Sequence, residues 1–142
     1  MIIAIDPGVT TGVARWVPEY FDGPFQSYQF TEHEFYGWID EQADTIGHCQ
    51  IEKFTINAAT VKKTVVYDSV YLIGYLRYKS WLHGFPIGFT NPSDVMGPFP
   101  DAALKRAGMF KAGQGHANDA ARHLAHYLVR SRILSGSLFL PK

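Results

Sequence analysis

The chain has 142 residues, 46% hydrophobic and 18% charged; this is ordinary globular usage at the size of one domain, and it excludes disordered, collagen-like and coiled-coil classes. The formal net charge is zero, yet residues 1–50 carry one basic and eight acidic side chains while residues 51–142 carry twelve basic and five acidic. This segregation leaves room for a nucleic-acid-binding face on a neutral protein, beside the plainer reading of charge dispersed over a solvated surface.

In chain order, Ile2 to Ile5 form an apolar run ending at Asp6, and Pro-Gly-Val-Thr-Thr-Gly reads as a tight turn into Val13 to Val17, which predicts a β-hairpin. A turn-rich stretch, Pro18 to Pro24, precedes a third strand, Phe25 to Phe30, and a polar helix over Thr31 to Ala43. His48 to Phe54 supplies another strand, with Ile51 and Glu52 near its middle, followed by the Thr/Asn/Lys-rich connection Thr55 to Thr64. Asp68 or Ser69 is placed to cap a helix that ends at His83 and Gly84 and is apolar nearly all round. Such a helix needs cover on two sides, from a second copy of the chain or from within the monomer. Phe85 to Thr90 is a further strand, Asn91 to Pro100 a Pro/Gly-rich connection and Asp101 to Ala107 a short helix. The last helix runs from about His116 to Leu134, with Ala117, Ala120, Ala121, Leu124 and Leu128 as core stripe and His116, Asp119, His123 and Arg130 on another side. The pattern predicts a single α/β domain over residues 1–142, with a mixed sheet of three antiparallel strands followed by parallel ones.

No apolar run approaches the ~20 residues of a membrane span, and the first residues lack the basic flank of a signal peptide, so a cytoplasmic location is expected. The one cysteine, Cys49, has no partner for a disulfide or a zinc site and is expected to pack as a small hydrophobe. There is no Walker-type phosphate loop, serine elbow or Cys/His nucleophile pair. The Asp-Pro-Gly-Val-Thr-Thr-Gly turn also resembles the opening of actin-like sugar kinases, but those need a second large lobe that 142 residues do not provide.

Three carboxylates are candidates to converge: Asp6 at the end of a buried strand, Glu52 inside another strand, and Asp119 in the first turn of the last helix. Desolvating a carboxylate costs several kcal/mol unless a cation compensates it, and hard oxygen donors select Mg²⁺ or Mn²⁺. Two such ions about 4 Å apart suit phosphodiester hydrolysis. Each residue also has an ordinary alternative. Asp6 fits a turn-stabilising Asp, Asp119 complements a helix dipole, and His116 is a cap or core residue; Glu52, disfavoured in a strand, is the hardest to explain structurally.

Together, Ile3-Ala4-Ile5-Asp6-Pro7-Gly8 with Thr11-Gly12-Val13-Ala14, then Ile51-Glu52, then His116-Ala117-Asn118-Asp119-Ala120 resemble the three motifs of RuvC-type nucleases in the RNase H-like superfamily. Tyr71-Leu-Ile-Gly-Tyr-Leu-Arg-Tyr and Gly115-His-Ala-Asn-Asp-Ala-Ala-Arg-His-Leu resemble more narrowly the phage-encoded RuvC-like Holliday junction resolvases. The resemblance implies an RNase H-like fold with a mixed five-stranded sheet flanked by helices, a homodimer, two divalent metals per site (Mg²⁺ or Mn²⁺) and symmetric nicking of four-way DNA. For a phage-encoded chain the location implied is the host cytoplasm. It assigns Asp6, Glu52 and Asp119 as metal-binding acids and places His116, as a metal ligand or water-orienting group, where bacterial RuvC commonly has a fourth acid.

Lys62, Lys63, Lys105, Arg106 and Lys111 fall in connections beside these motifs and are candidate phosphate contacts, while Phe54, Tyr67, Phe99 and Phe110 are candidates to stack on opened bases. The alternatives are a YqgF-like RNA-processing nuclease of the same superfamily and a catalytically silent junction-binding scaffold.

Overall fold

The computed structural model describes residues 1–19, 23–59 and 65–142. Strands β1 (Ile2–Asp6), β2 (Thr11–Trp16) and β3 (Phe25–Phe30) form an antiparallel meander; after helix α1 (Glu32–Gln42), β4 (His48–Glu52) pairs parallel with β1, and after α2 (Val65–His83), β5 (Ile87–Thr90) pairs parallel with β4. The five-stranded sheet has the order β3-β2-β1-β4-β5. Two short helices follow, α3 (Pro92–Met96) and α4 (Asp101–Arg106), and then α5 (Gly115–Arg130).

Period-two alternation sorts the strands between two cores. Ile3, Ile5, Val13, Cys49 and Ile51 meet Phe35, Ile39, Leu72 and Leu76 of α1 and α2, while Ala4 and Ala14 meet Ala120, Ala121, Leu124 and Leu128 of α5. Cys49 is buried as expected and its thiol pKa is pushed up by desolvation. The α5 face of the sheet carries small residues because that helix lies directly on β2. A Cβ built on Gly12 would stand 1.9 Å from the His116 carbonyl oxygen. Gly12→Ala is therefore expected to lift the first turn of α5 off the sheet, at a cost of ~1–3 kcal/mol; thermal denaturation of the variant checks this.

The sequence expectations differ from the structure at several ends. The helix expected from Asp68 or Ser69 already runs at Val65, and Ser69 Oγ, rather than capping it, donates to the Pro7 carbonyl at 3.1 Å. The connection Asn91 to Pro100 contains α3, entered through Asn91 with Pro92 in the first turn, where a missing N–H costs nothing. α5 stops at Arg130 rather than Leu134: Arg132 takes φ 57°, and the Ile133 and Leu134 amides fold back on the Leu128 carbonyl. A left-handed residue other than Gly or Asn leaves no sequence signal for that stop. The strand expected through Phe54 ends at Glu52. No helix among the described residues is long and apolar enough to cross a membrane.

Candidate active site

The register of the sheet sets two of the acids side by side. β1 pairs Ile5 with Ile51 of β4, so the next residues along, Asp6 and Glu52, leave the parallel pair together, on the face opposite Ile5 and Ile51. That face is covered by α5, whose first turns carry His116 and Asp119. Across β2, Asp6 pairs with Gly12, the residue whose bare Cα admits the His116 backbone. The glycine of the Thr-Gly pair thus brings the helix close enough for side chains to meet across the sheet.

Asp6 is 7% exposed, and His116 Nδ1 lies 2.8 Å from its Oδ2. Burial, followed by the charge of Glu52, raises the Asp6 pKa from 3.8 to about 6; the His116 hydrogen bond opposes this and Asp119 adds to it. Asp6 at the end of β1 therefore feels both of the other acids. Each also contacts a base contributed by α5: Asp6 meets His116, Glu52 Oε2 lies 3.0 Å from His123 Nε2, and Asp119 Oδ1 accepts from Arg122 at 2.5 Å.

The donor set fits a hard divalent cation in kind, being carboxylate oxygen with the imidazoles of His116 and His123 beside two of the acids. An acid held well above its ordinary pKa by burial and by neighbouring negative charge is what a cation would relieve. Among the described residues no group of three His, Cys, Asp or Glu side chains stands ready as one ligand set. Glu52 and Asp119 line a cavity of about 150 Å³ with His123, Pro92, Val95 and Met96, and an open groove of about 510 Å³ adjoins it along Asp119, Met96, Asp101, Gln114, Asn118 and Arg122.

Three contributors escaped the sequence analysis. Gln29, on β3, accepts from the His116 and Ala117 amides at 3.0 and 3.4 Å, satisfying orphan donors of an α5 that has no side-chain cap of its own. Arg122 is buried; its Nε donates to the Phe99 carbonyl and its terminal nitrogens to Asp119 and Asp101, tying α5 to the start of α4. His123, expected on the polar side of α5, is fully buried. The i+3 and i+4 spacings from Asp119 were the available signal for the last two; for Gln29, 87 residues from His116, there was none.

Of the candidate phosphate contacts, Lys62 and Lys63 lie outside the described residues. Lys111 is engaged within the fold: its ammonium donates to the Ser27 carbonyl and sits 5.3 Å from the Tyr28 ring centroid. Arg106 Nε donates to the Phe139 carbonyl at 2.9 Å, and Lys105 lies 4.6 Å over the Phe110 ring. Among the candidate stacking rings, Phe99 is a core residue, Tyr67 is exposed, and Phe54 and Phe110 are partly buried.

No family model and no curated protein matches the sequence. Among solved structures, Thermus thermophilus RuvC in complex with a Holliday junction substrate aligns with a TM-score of 0.58 at 15% identity, covering 92% of this chain and 96% of that one. A second Thermus thermophilus RuvC structure aligns with a TM-score of 0.58 at 14% identity, over 92% and 96% of the two chains. The fold is RNase H-like. The mixed five-stranded sheet flanked by helices is what the motif resemblance implies.

Proposed function

We propose that the chain is a metal-dependent endonuclease that resolves four-way (Holliday) DNA junctions, of the phage-encoded kind that its α2 and α5 motifs resemble, working as a homodimer that places paired symmetric nicks. The observation that carries this is Asp6, a buried acid at the end of β1, set in register beside Glu52 and under the turn of α5 that carries His116 and Asp119. A fold gains nothing from such a group unless a cation or a proton offsets it.

Asp6, Glu52 and Asp119 would hold two Mg²⁺ or Mn²⁺ ions, with His116 as a further ligand or as the group that orients the attacking water. Such ions, when bound, supply an activated water and positive charge opposite the leaving oxygen. His116, half exposed, has its Nδ1 within hydrogen-bond distance of Asp6 and keeps its other ring nitrogen free of that contact, so it can face both the acid and a nucleophile. Arg122 restrains the carboxylate of Asp119, and the groove beside it offers a path for a strand. Three carboxylates opposite two divalent ions leave a positive balance that attracts a phosphate.

The dimer reading rests on α2. Tyr67, Val70, Tyr71, Tyr78, Trp81 and Leu82 are exposed along it, while Leu72 and Leu76 on the other side enter the core. Gly74 sits in the middle of the exposed stripe, where an added Cβ would meet nothing in the chain. A mid-helix Gly costs about 1 kcal/mol, and close approach of a second helix supplies a reason for it. A second copy of the chain suits a substrate with two equivalent strands to cut.

The test is cleavage of four-way DNA, linear duplex and structured RNA with Mg²⁺ and with Mn²⁺. Paired nicks in the four-way substrate are the expected result; preferential cutting of RNA would favour a YqgF-like role. The base paired to each acid is the observation favouring a silent scaffold, which tight junction binding without any nicking would establish. If Lys62 and Lys63 contact phosphates, replacing both with Ala should weaken binding to all sequences alike and flatten the salt dependence by about one unit per contact; binding titrations across salt concentrations measure this.

A further inference from the structure

His123 occupies a position on α5 where an apolar residue would serve the fold better. It is fully buried beside Ala120 and Leu124, both in the core between α5 and the sheet. Its Nδ1 is the one buried side-chain polar atom among the described residues that has no hydrogen-bond partner. An orphaned ring nitrogen in a low-dielectric interior is a standing cost. The polar contact made in return is at the other nitrogen, Nε2, 3.0 Å from Glu52 Oε2. With Nδ1 facing no donor or acceptor and Nε2 facing a carboxylate, the contact is a donation from Nε2–H.

Glu52 has three rotatable side-chain bonds and sits at the last residue of β4, with its side chain 26% exposed, so nothing in the strand itself fixes where its carboxylate points. His123 lies one helical turn after Asp119 on the same helix, and both line the same small cavity with Glu52. One rigid element thus carries one acid and the donor that grips another.

We propose that His123 is a positioning residue: by holding Oε2 of Glu52 from the same helix that carries Asp119, it sets the separation of these two acids and leaves Glu52 Oε1 for a divalent cation. The inference rests on the metal-binding role proposed above for Glu52. Hydrogen bonds that orient ligating carboxylates typically matter by 10- to 100-fold in metal affinity.

The experiment titrates Mn²⁺ into the full-length protein by calorimetry, without DNA, for wild type, His123→Leu, His123→Gln, His123→Asn and Glu52→Gln, and records metal-free melting curves. His123→Leu is expected to melt no lower than wild type while binding Mn²⁺ at least ~10-fold more weakly. His123→Gln, whose amide nitrogen reaches nearly where Nε2 stands, should recover most of that affinity; His123→Asn, too short to reach Glu52, should not. Unchanged Mn²⁺ affinity in His123→Leu overturns the proposal, as does equal affinity in the Gln and Asn variants, a comparison that decides the matter even if the Leu variant does not fold. Glu52→Gln separates the two levels of the argument. If it binds Mn²⁺ like wild type, the site reading fails and the His123 role with it; if it loses binding while His123→Leu keeps it, the His123 role alone is wrong.

Discussion

Asp6→Asn is expected to lower junction cleavage by at least ~10³-fold and at the same time to make the metal-free protein more stable at neutral pH. The two effects have one origin. Asp6 is nearly inaccessible to water and faces the negative charge of Glu52, so the fold favours its protonated form and its pKa stands at about 6 instead of 3.8. Because the folded-state value is the higher one, the stabilising contribution is fully present below about pH 4 and is lost as pH rises through about 6. Above that the ionised carboxylate weighs against folding by an amount on the order of 2–3 kcal/mol. Asn has no charge to desolvate and still offers His116 an acceptor. Melting temperatures of wild type and Asp6→Asn, without metal, should therefore coincide near pH 4 and separate by pH 7, with wild type the lower. Mn²⁺ should close the gap by raising wild type alone. A wild type that melts above the variant at pH 7 without metal would show that this acid is not under the strain described.

Charging the exposed stripe of α2 is expected to separate the subunits of the proposed homodimer without unfolding them. Trp81, at 78% exposure, and Tyr71, at 62%, are the most exposed aromatic rings of the described residues, and aromatic anchors at a protein interface commonly contribute ~2 kcal/mol or more each. Tyr71→Lys with Trp81→Lys places four like charges across a two-fold contact, which should weaken the dimer at least ~10³-fold. Leu72 and Leu76 remain buried against the sheet, so the helix itself should persist. Light scattering after gel filtration should report a monomer with an unchanged far-ultraviolet spectrum, and paired cuts in four-way DNA should give way to single nicks. A double variant that stays dimeric would move the subunit contact away from α2.

Much of this protein was legible in its sequence because the signals were local. The Asp-Pro-Gly-Val-Thr-Thr-Gly turn between two apolar runs specified the hairpin of β1 and β2, and the bounds expected for β3 are those observed. The Ala-rich stripe of α5 identified the helix face that lies on the sheet. Glu52 stood out without any coordinates as an acid in an expected strand interior, although the structure places it at the last residue of β4.

Contacts between residues far apart in the chain were decided only by the tertiary structure. That Asp6 and Glu52 emerge side by side depends on the parallel register of β1 with β4, and no residue type encodes a register by itself. The cap of α5 comes from Gln29 on a strand at the sheet edge, and the need for glycine at position 12 comes from a helix carbonyl more than 100 residues later. His123 looked polar-facing on a helical wheel because a wheel assigns angle and not environment; the Glu52 carboxylate, delivered by β4, is what gives a buried imidazole a partner there. Sequence alone thus determined which segments form strands and helices and which acids are unusual, since propensity, turn chemistry and desolvation act on single residues and near neighbours. Packing of α5 across the sheet decided which bases hold those acids, because electrostatic coupling at a few ångströms exists only once distant segments are brought together.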